Sequence, residues 1–451
     1  MNIGESRVGD HLVLRPVGRL DTQTTAEFQA RLLQLVTGGP DDVIVDFAQV
    51  DYISSAGLRS LMAAVKAKPK GRRIAVAALN PLVQEIYTIA RFQHVIPAFG
   101  SVDEAVAAWS PGAEPRAEPG AKAETSSPNA PPIGVRFWGT RGSLPVALNH
   151  SGVRAKIRAA LLAVRERNLS SPEAIDAFLD TELPFSVKGT FGGNTSCVQI
   201  ETGADEYLLC DLGSGAREFG NQVLAKHGPG HPNSFNIFMS HVHWDHIMGF
   251  PFFVPAYIPG NRLRIYGCHK ILREALERQH AAPSFPVEFS ALGATIEFIE
   301  LEPGVPCEVA GFSVTPIKQF HSGDSYGYRF ERDGKAIVYT TDCEHKAQML
   351  DQSYPFVDFY RDADLLIFDT MYSLADAISV KEDWGHSSNL VAVELAQLAR
   401  AKRLVMFHHE PAYDDAKIEG VFAETVRFEE ISREGHKVEV IAAYDGLELL
   451  V

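Results

Sequence analysis

His241-Val242-His243-Trp244-Asp245-His246 gathers three imidazoles and a carboxylate within six residues, directly after a run, residues 234–240 (SFNIFMS), that reads as a buried strand. Imidazole and carboxylate together suit Zn²⁺, Mn²⁺ or Fe²⁺, and no cysteine stands close enough in the chain to close a structural zinc site. Along an extended continuation of the strand, alternation sends His241, His243 and Asp245 to one side. His246 cannot share that face unless the chain turns. A strand that ends in a turn offers two pairs to two neighbouring cations, His241 with His243 and Asp245 with His246.

The elements that must position such a centre are further strands ending in donors. LLCDLGSG ends in Asp211, IKQFHSG in His321, VYTTDCEH in Asp342 and VMFHHEP in His408. Each alone reads as polar surface. Together with the cluster they supply the roughly seven donors, one carboxylate shared, that two divalent ions about 3.5–4 Å apart require. Of the adjacent His408 and His409, alternation turns only one inward. Strand-like runs recur from Val135 to Ala442, with helical segments such as residues 388–401 and 422–434 between them. That pattern predicts a two-sheet sandwich flanked by helices, with function on the loops at one sheet edge. Residues 150–188 are helical in pattern and serve either as a lid or as a packing insertion.

Before this region lies a second unit. Strand-like runs at Leu12 to Leu14, Val43 to Phe47, Ile74 to Ala78, and Val95 and Ile96 alternate with helical runs at residues 24–36, 55–67, 81–90 and 102–109. This predicts a small α/β domain over residues 1–109. A stretch rich in Pro, Ala, Glu and Ser, residues 110–133, buries too little to offset its ordering entropy and is expected to be a disordered linker between independent domains. Residues 134–451 then form the second domain. Ser54 and Ser55 stand where a buried strand leads through a short loop into a helix. A serine there is an ordinary helix cap, or a site where phosphate would meet free backbone N–H groups at the positive end of the helix.

With 451 residues and 45% apolar content, the chain can build two cores. Its net charge of −15, from 42 basic and 57 acidic residues, disfavours long nucleic acid as a partner. Five cysteines without a C-x-x-C pair suggest reduced thiols, and no apolar h-region or run of 18 apolar residues is present, so a cytoplasmic protein is expected.

Two resemblances sharpen these expectations. GRLDTQTTAEF at residues 18–28, VDF at 45–47 and ISSAGLR at 53–59 resemble the STAS domain, the anti-sigma-factor antagonist fold. The likeness implies a docking surface without chemistry of its own, a kinase or anti-sigma-type protein as partner, and Ser55 as the phosphorylatable position. This sequence has Ser54 where phosphorylatable members often carry Asp. The C-terminal region resembles the metallo-β-lactamase superfamily, an αββα sandwich, within its ribonuclease Z and phosphodiesterase branch. FWGTRGS at 137–143, GGNTSC at 192–197, HSGDSYGYRF at 321–330 and GHSSNLVAVELAQLARAKRLVMFHH at 385–409 carry that likeness.

The second resemblance implies that His241, His243 and His321 hold one metal, that Asp245, His246 and His408 hold the other, and that Asp342 bridges them. It implies two divalent ions, zinc first and manganese or iron as alternatives. Asp211 matches an aspartate just outside the metal shell. His386 matches a histidine that faces the scissile phosphate and helps the leaving group depart; with Asp245 it completes the catalytic candidates. His409 is expected outside the metal shell, and His345 and Cys343 in packing or surface roles.

The short interval of 21 residues between His321 and Asp342 leaves no room there for an RNA-gripping arm. With the net acidity, it favours a small phosphodiester, such as a cyclic nucleotide, as substrate. The alternatives are a thioester or lactone hydrolase of the same fold, a tRNA-processing ribonuclease, or a signalling adaptor with weak catalysis. A homodimer is compatible with all of them. With the two domains independent, Ser55→Asp is expected to leave the chemistry intact.

Overall fold

The computed structural model describes residues 2–9, 11–38, 41–109, 132–164, 169–346, 352–379 and 384–451, so most of the expected linker lies outside the described residues. The N-terminal unit contains β1 (Asn2–Val8), β2 (His11–Leu20), α1 (Thr25–Thr37), β3 (Val43–Asp46), β4 (Val50–Ile53), α2 (Ser55–Ala67), β5 (Ile74–Ala77), α3 (Pro81–Ile89), β6 (Ala98–Phe99) and α4 (Val102–Ala108). Its sheet runs β1-β2-β3-β5-β6, with β4 paired to the end of β2. Only β1 runs antiparallel to its neighbour. The central strands VIVD and IAVA are buried at every position, as parallel strands covered on both faces are.

Three details differ from expectation. The backbone N–H groups of Val95 and Ile96 both donate to Phe92 O, which curls them into a turn and delays the strand to Ala98, beyond Pro97. The expected loop before Ser54 carries β4. Edge strand β1 was not foreseen, because its largely exposed residues NIGESRV show no apolar alternation.

The C-terminal unit begins with β7 (Gly134–Gly139), α5 (His150–Ala163), α6 (Pro172–Glu182) and α7 (Phe185–Lys188). Then come β8 (Cys197–Ile200), β9 (Glu206–Cys210), α8 (Gly215–His227), β10 (Ser234–Phe238), α9 (Trp244–Ile247), β11 (Arg262–Gly267), α10 (Leu272–Gln279) and β12 (Thr295–Glu300). The second half holds β13 (Cys307–Val309), β14 (Phe312–Gln319), β15 (Ser325–Arg332), β16 (Lys335–Thr340), α11 (Pro355–Tyr360), β17 (Leu365–Asp369) and α12 (Leu374–Ser379). It closes with α13 (Asn389–Leu398), β18 (Arg403–Phe407), α14 (Asp415–Ser432), β19 (Glu439–Ala442) and β20 (Glu448–Leu450).

Two sheets, ordered β12-β11-β10-β9-β8-β7-β20 and β13-β14-β15-β16-β17-β18-β19, face each other. Alternation divides their residues between layers. Ile337, Tyr339, Leu365, Ile367, Val405 and Phe407 point into the core between the sheets. Val338, Leu366, Phe368 and Leu404 point outward, under the helices. The other sheet does the same: Leu208 and Phe238 face inward, while Leu209, Ile237 and Met239 pack beneath α8 and its neighbours. This is the expected sandwich with helices on both outer faces. α5 packs on α7 and is anchored by Lys156, whose Nζ lies 2.6 Å from Asp415 Oδ2, while Val153, Ile157, Leu161 and Leu162 stay exposed. No helix among the described residues is long and apolar enough to cross a membrane.

The two units are not independent, although the composition of residues 110–133 predicts that they are. Val83, Ile86 and Leu58 of the N-terminal unit belong to the same buried cluster as Leu374, Leu390, Val391 and Phe428 of the C-terminal one. A tether's composition reports the tether, not the faces of the domains it joins.

Candidate metal centre

The donors lie where strands end, at one edge of the sandwich. Asp211 follows β9, His241 follows β10, His321 follows β14, Asp342 follows β16 and His408 follows β18. After His241 the chain turns into α9, with His243 at its N-cap, and the helical turn swings Asp245 and His246 back toward the site. Asp211, Asp342 and His408 take left-handed backbone conformations (φ 61°, 38° and 61°). Such geometry costs a non-glycine residue about 1–3 kcal/mol and clusters where a side chain must be aimed rather than where packing is best.

Two groups of these side chains share the Asp342 carboxylate, and a third, Asp369, His386 and His408, shares His408 with one of them. His241 Nε2 and His321 Nε2 each lie 3.6 Å from Asp342 Oδ2. His243 Nδ1 lies 3.1 Å from His321 Nε2. On the other side, His246 Nε2 and His408 Nε2 lie 3.1 and 3.2 Å from Asp342 Oδ1. Asp245 Oδ2 lies 3.3 and 3.2 Å from the same two imidazole nitrogens. Asp342 thus presents one oxygen to each of the two groups that share it.

The geometry and the protonation fit cations. Ligands about 2.1 Å from one ion stand roughly 3–3.5 Å apart, close to the spacings found. His321 Nδ1–H donates to Gly385 O at 2.8 Å, and His246 Nδ1–H donates to Asp211 Oδ2 at 2.7 Å, which leaves both Nε2 atoms as lone pairs aimed inward. His241 Nε2 is fully buried without a hydrogen-bond partner. Burial, together with neighbouring imidazoles, keeps His241 and His243 below the usual histidine range, and burial does the same for His321. Neutral imidazole is the ligating form. Burial opposes charge on Asp342, but His408, His246 and His241 hold it well below the usual carboxylate range. Burial likewise opposes charge on Asp245, which His246 and His408 hold low. His246 is drawn upward against burial by Asp342, Asp245 and Asp211. A cation is the natural replacement for that proton.

Around this centre stands a fixed shell. Asp211, fully buried, accepts from Ser240 N, Ser240 Oγ, Tyr339 OH and His246 Nδ1, each at 2.7 Å. Ser143 N donates to Asp245 Oδ2 at 2.7 Å. Gly385 (φ 84°) can be nothing larger, since a Cβ there would stand 2.4 Å from His321 Nδ1.

His386 lies between the two groups, its ring centroid 5.1 Å from that of His321 and 5.2 Å from that of His408. Its Nδ1–H donates to Asp369 Oδ2 at 2.9 Å. Burial lowers its proton affinity, but Asp369, with help from Asp342 and Asp245, pushes it up to about 9. Asp369 was missed from the sequence, although LLIFD ends β17 in a carboxylate just as neighbouring strands end in donors. It is fully buried and also accepts from Cys343 N and Met371 N, at 3.2 and 3.1 Å.

The remaining candidates fall elsewhere. His409 is buried, donates through Nε2 to Ala443 O at 2.8 Å and sits outside both groups. His345 is buried between Tyr354 OH and Tyr360 OH, at 2.9 and 3.1 Å, and Cys343 is buried beside it in the core. Ser55 is not in this centre: it is fully buried at the junction of the two domains.

Residues 208–409 match the family model of the Beta-lactamase superfamily domain, and residues 3–97 match that of the Mlab, STAS domain. A ribonuclease Z of Thermoplasma acidophilum is 27% identical over 265 residues, 48% of this chain and 80% of that protein. A candidate anti-sigma factor antagonist, BtrV, of Bordetella bronchiseptica is 28% identical over 110 residues, 24% of this chain and 95% of that protein. The solved metallo-beta-lactamase fold protein YhfI of Bacillus subtilis aligns over 71% of this chain and all of its own, at 19% identity and a TM-score of 0.48.

Proposed function

From a chain that joins a STAS-like domain to a hydrolase domain of metallo-β-lactamase fold, we propose a metal-dependent phosphodiesterase acting on a small phosphodiester such as a cyclic nucleotide. The observation that carries this reading is the shared carboxylate of Asp342, one oxygen facing His241 and His321, the other His246 and His408, with His386 poised between. We assign His241, His243, His321 and Asp342 to one ion and Asp245, His246, His408 and Asp342 to a second, with zinc as the first choice. Two divalent cations held there would lower the pKa of water and take up charge on phosphoryl oxygens.

The protein's own groups do the rest. Asp211 fixes the ring of His246, and the Gly385 carbonyl fixes that of His321, so neither side chain reorganises during turnover. Asp369 holds His386 with Nδ1 protonated and keeps the ring cationic near neutral pH. The imidazolium then donates a proton to the departing alkoxide, which is the role of a general acid. The phosphodiester is preferred over carbon esters because a cationic imidazole beside the centre suits an anionic substrate.

A second reading, cleavage of RNA, is favoured by the similarity to ribonuclease Z. Against it stand the net charge of −15 and the tight β15–β16 hairpin that fills the interval from His321 to Asp342. The deciding experiment combines metal analysis of the purified protein with a kinetic screen of bis(4-nitrophenyl) phosphate, cyclic nucleotides, cyclic dinucleotides, a thioester and short RNA. Turnover of cyclic nucleotides above that of RNA is expected. Turnover of the thioester alone, or protein that takes up no metal, would overturn the reading. In the STAS-like domain we propose regulation through a protein partner or phosphorylation, with Ser55 as the site.

A further inference from the structure

The Ser55 end of α2 is already occupied. Ser55 N donates to Glu394 Oε1 at 2.9 Å, and Ser55 Oγ donates to Glu394 Oε2. Ser54 Oγ caps the same helix on Gly57 N. A helix N-terminus presents unpaired N–H groups and partial positive charge, so it favours an anion. Here the anion is a carboxylate of the other domain, on α13. Packing continues from this contact, α2 against α12 and α3 against α14. At the margin, Arg91 Nη2 lies 2.9 Å from Glu424 Oε1, Arg427 Nη2 donates to Glu85 Oε2 at 2.9 Å, and Arg19 Nη2 donates to Glu434 Oε1 at 2.8 Å.

The helices that receive the STAS-like domain flank the catalytic loop. α12 begins five residues after Asp369, and α13 begins three residues after His386. Their leading segments are tied to each other: Asn389 N donates to Tyr372 O at 3.1 Å, and Tyr372 N to Ser387 O at 3.4 Å. Force applied to α12 and α13 therefore reaches the His386–Asp369 pair through a few residues of buried backbone.

We propose that the STAS-like domain is a clamp acting on its own hydrolase domain: seated on α12, α13 and α14 it holds the His386 loop in place, and negative charge at Ser55 unseats it. A second anion at the end of α2 would stand against Glu394, whose two oxygens already accept from Ser55 N and Ser55 Oγ, so two like charges would meet within hydrogen-bond reach and repel, with Arg59 nearby offsetting only part of that repulsion. A protein partner that takes the Ser55 face must displace Glu394 to do so, and it would loosen the same loop. The inference rests on the phosphodiesterase reading only for its catalytic readout. Its structural readout stands alone.

The test uses the full chain, wild type and four variants: Ser55→Asp, Ser55→Ala, Arg91→Glu, and Arg91→Glu with Glu424→Arg. Amide hydrogen exchange is followed in α2, in α13 and over residues 384–388, together with bound metal and kcat on bis(4-nitrophenyl) phosphate. Ser55→Asp and Arg91→Glu should each speed exchange in all three segments by about tenfold or more and lower kcat about tenfold, with metal content unchanged. Ser55→Ala, which loses the hydroxyl donor to Glu394 but adds no charge, should speed exchange and lower kcat less than Ser55→Asp does, and the charge-swapped double variant should recover most of the protection. The clamp is overturned if exchange in α2 rises while residues 384–388 stay protected, or if Ser55→Asp leaves α2 protected. Equal effects of Ser55→Ala and Ser55→Asp would overturn the role of charge. Absence of turnover in the wild type would count against the phosphodiesterase reading and leave the exchange result to decide the clamp.

Discussion

At the scale of single residues, Asp342 has no substitute, because no other carboxylate in the centre faces both groups. Its two oxygens lie 3.1–3.6 Å from four imidazole nitrogens. Asp342→Ala should abolish turnover and reduce bound metal per chain, measured by plasma emission on the purified variant. Full metal with full activity would refute the ligand assignment. His386 acts differently. Its proton, not its lone pair, is the working form, so activity should be present below its pKa, which Asp369 raises, and lost as pH rises through it. Asp369 sets that value more than any other charge, so Asp369→Asn should move the alkaline limb of kcat to lower pH while metal content holds. His386→Ala should cost roughly 10²–10⁴ in kcat. An alkaline limb that stays put in Asp369→Asn would remove His386 as the acid. Most of these side chains were legible because imidazoles and carboxylates at strand ends are conspicuous in sequence. Asp369 shared that signal and was passed over. Glu394 was not legible, since a lone glutamate on a helix reads as solvated surface.

At the scale of elements, the centre depends on loops that bring backbone within contact of ligand rings. Gly385 is one such point. Gly385→Ala pushes a methyl group against His321 Nδ1 and should loosen the metal held by His321 more than that held by His408, visible as biphasic loss to a chelator. Gly142 is another, since a Cβ there would stand 2.6 Å from the His408 ring, and the adjoining GGNTS loop, whose Asn194 O accepts from Thr140 N and Arg141 N, is held by Asp445 beyond β19. Asp445 Oδ2 accepts from Gly193 N at 3.0 Å and Asn194 N at 2.9 Å, and Oδ1 from Thr140 Oγ at 3.1 Å. Burial outweighs these bonds and raises its pKa to about 6, against 3.8 for the unfolded chain. The folded protein holds this proton more tightly, so the group's contribution to stability is greatest below about pH 4 and falls as pH rises to about 6. Asp445→Asn should flatten that segment of the pH–stability curve in urea titrations. An unchanged slope would show that Asp445 is charged throughout. The strands of the sandwich were legible from apolar runs bounded by turns. β1, β12, β13 and β20 were not: β1 is largely exposed, in β12 half-buried Ile296, Phe298 and Ile299 stand among glutamates, and β13 and β20 span only three residues each.

At the scale of the whole molecule, the decisive feature is that the outer helical layer of the hydrolase domain has two sides to cover. α13, NLVAVELAQL, is apolar almost all round, with Leu390, Val391, Ala392, Val393, Leu395 and Ala396 buried. A helix of that kind is buried on more than one face. One face lies on the sheet; the other meets the STAS-like domain. The composition of residues 110–133 pointed to separate bodies, and only the all-round apolarity of α13 spoke for a second partner, without saying which. With one apolar cluster running through both domains, neither can lose its fold without exposing part of the other's core. Heating should therefore give one calorimetric transition whose van't Hoff and calorimetric enthalpies agree, despite a length at which two domains commonly melt apart. Glu394→Ala strands the buried N–H and hydroxyl of Ser55, at about 1–3 kcal/mol, and should lower that single transition as a whole. Two resolved endotherms in the wild-type chain, or a shift confined to one of two transitions in the variant, would mean that the shared core does not couple the domains.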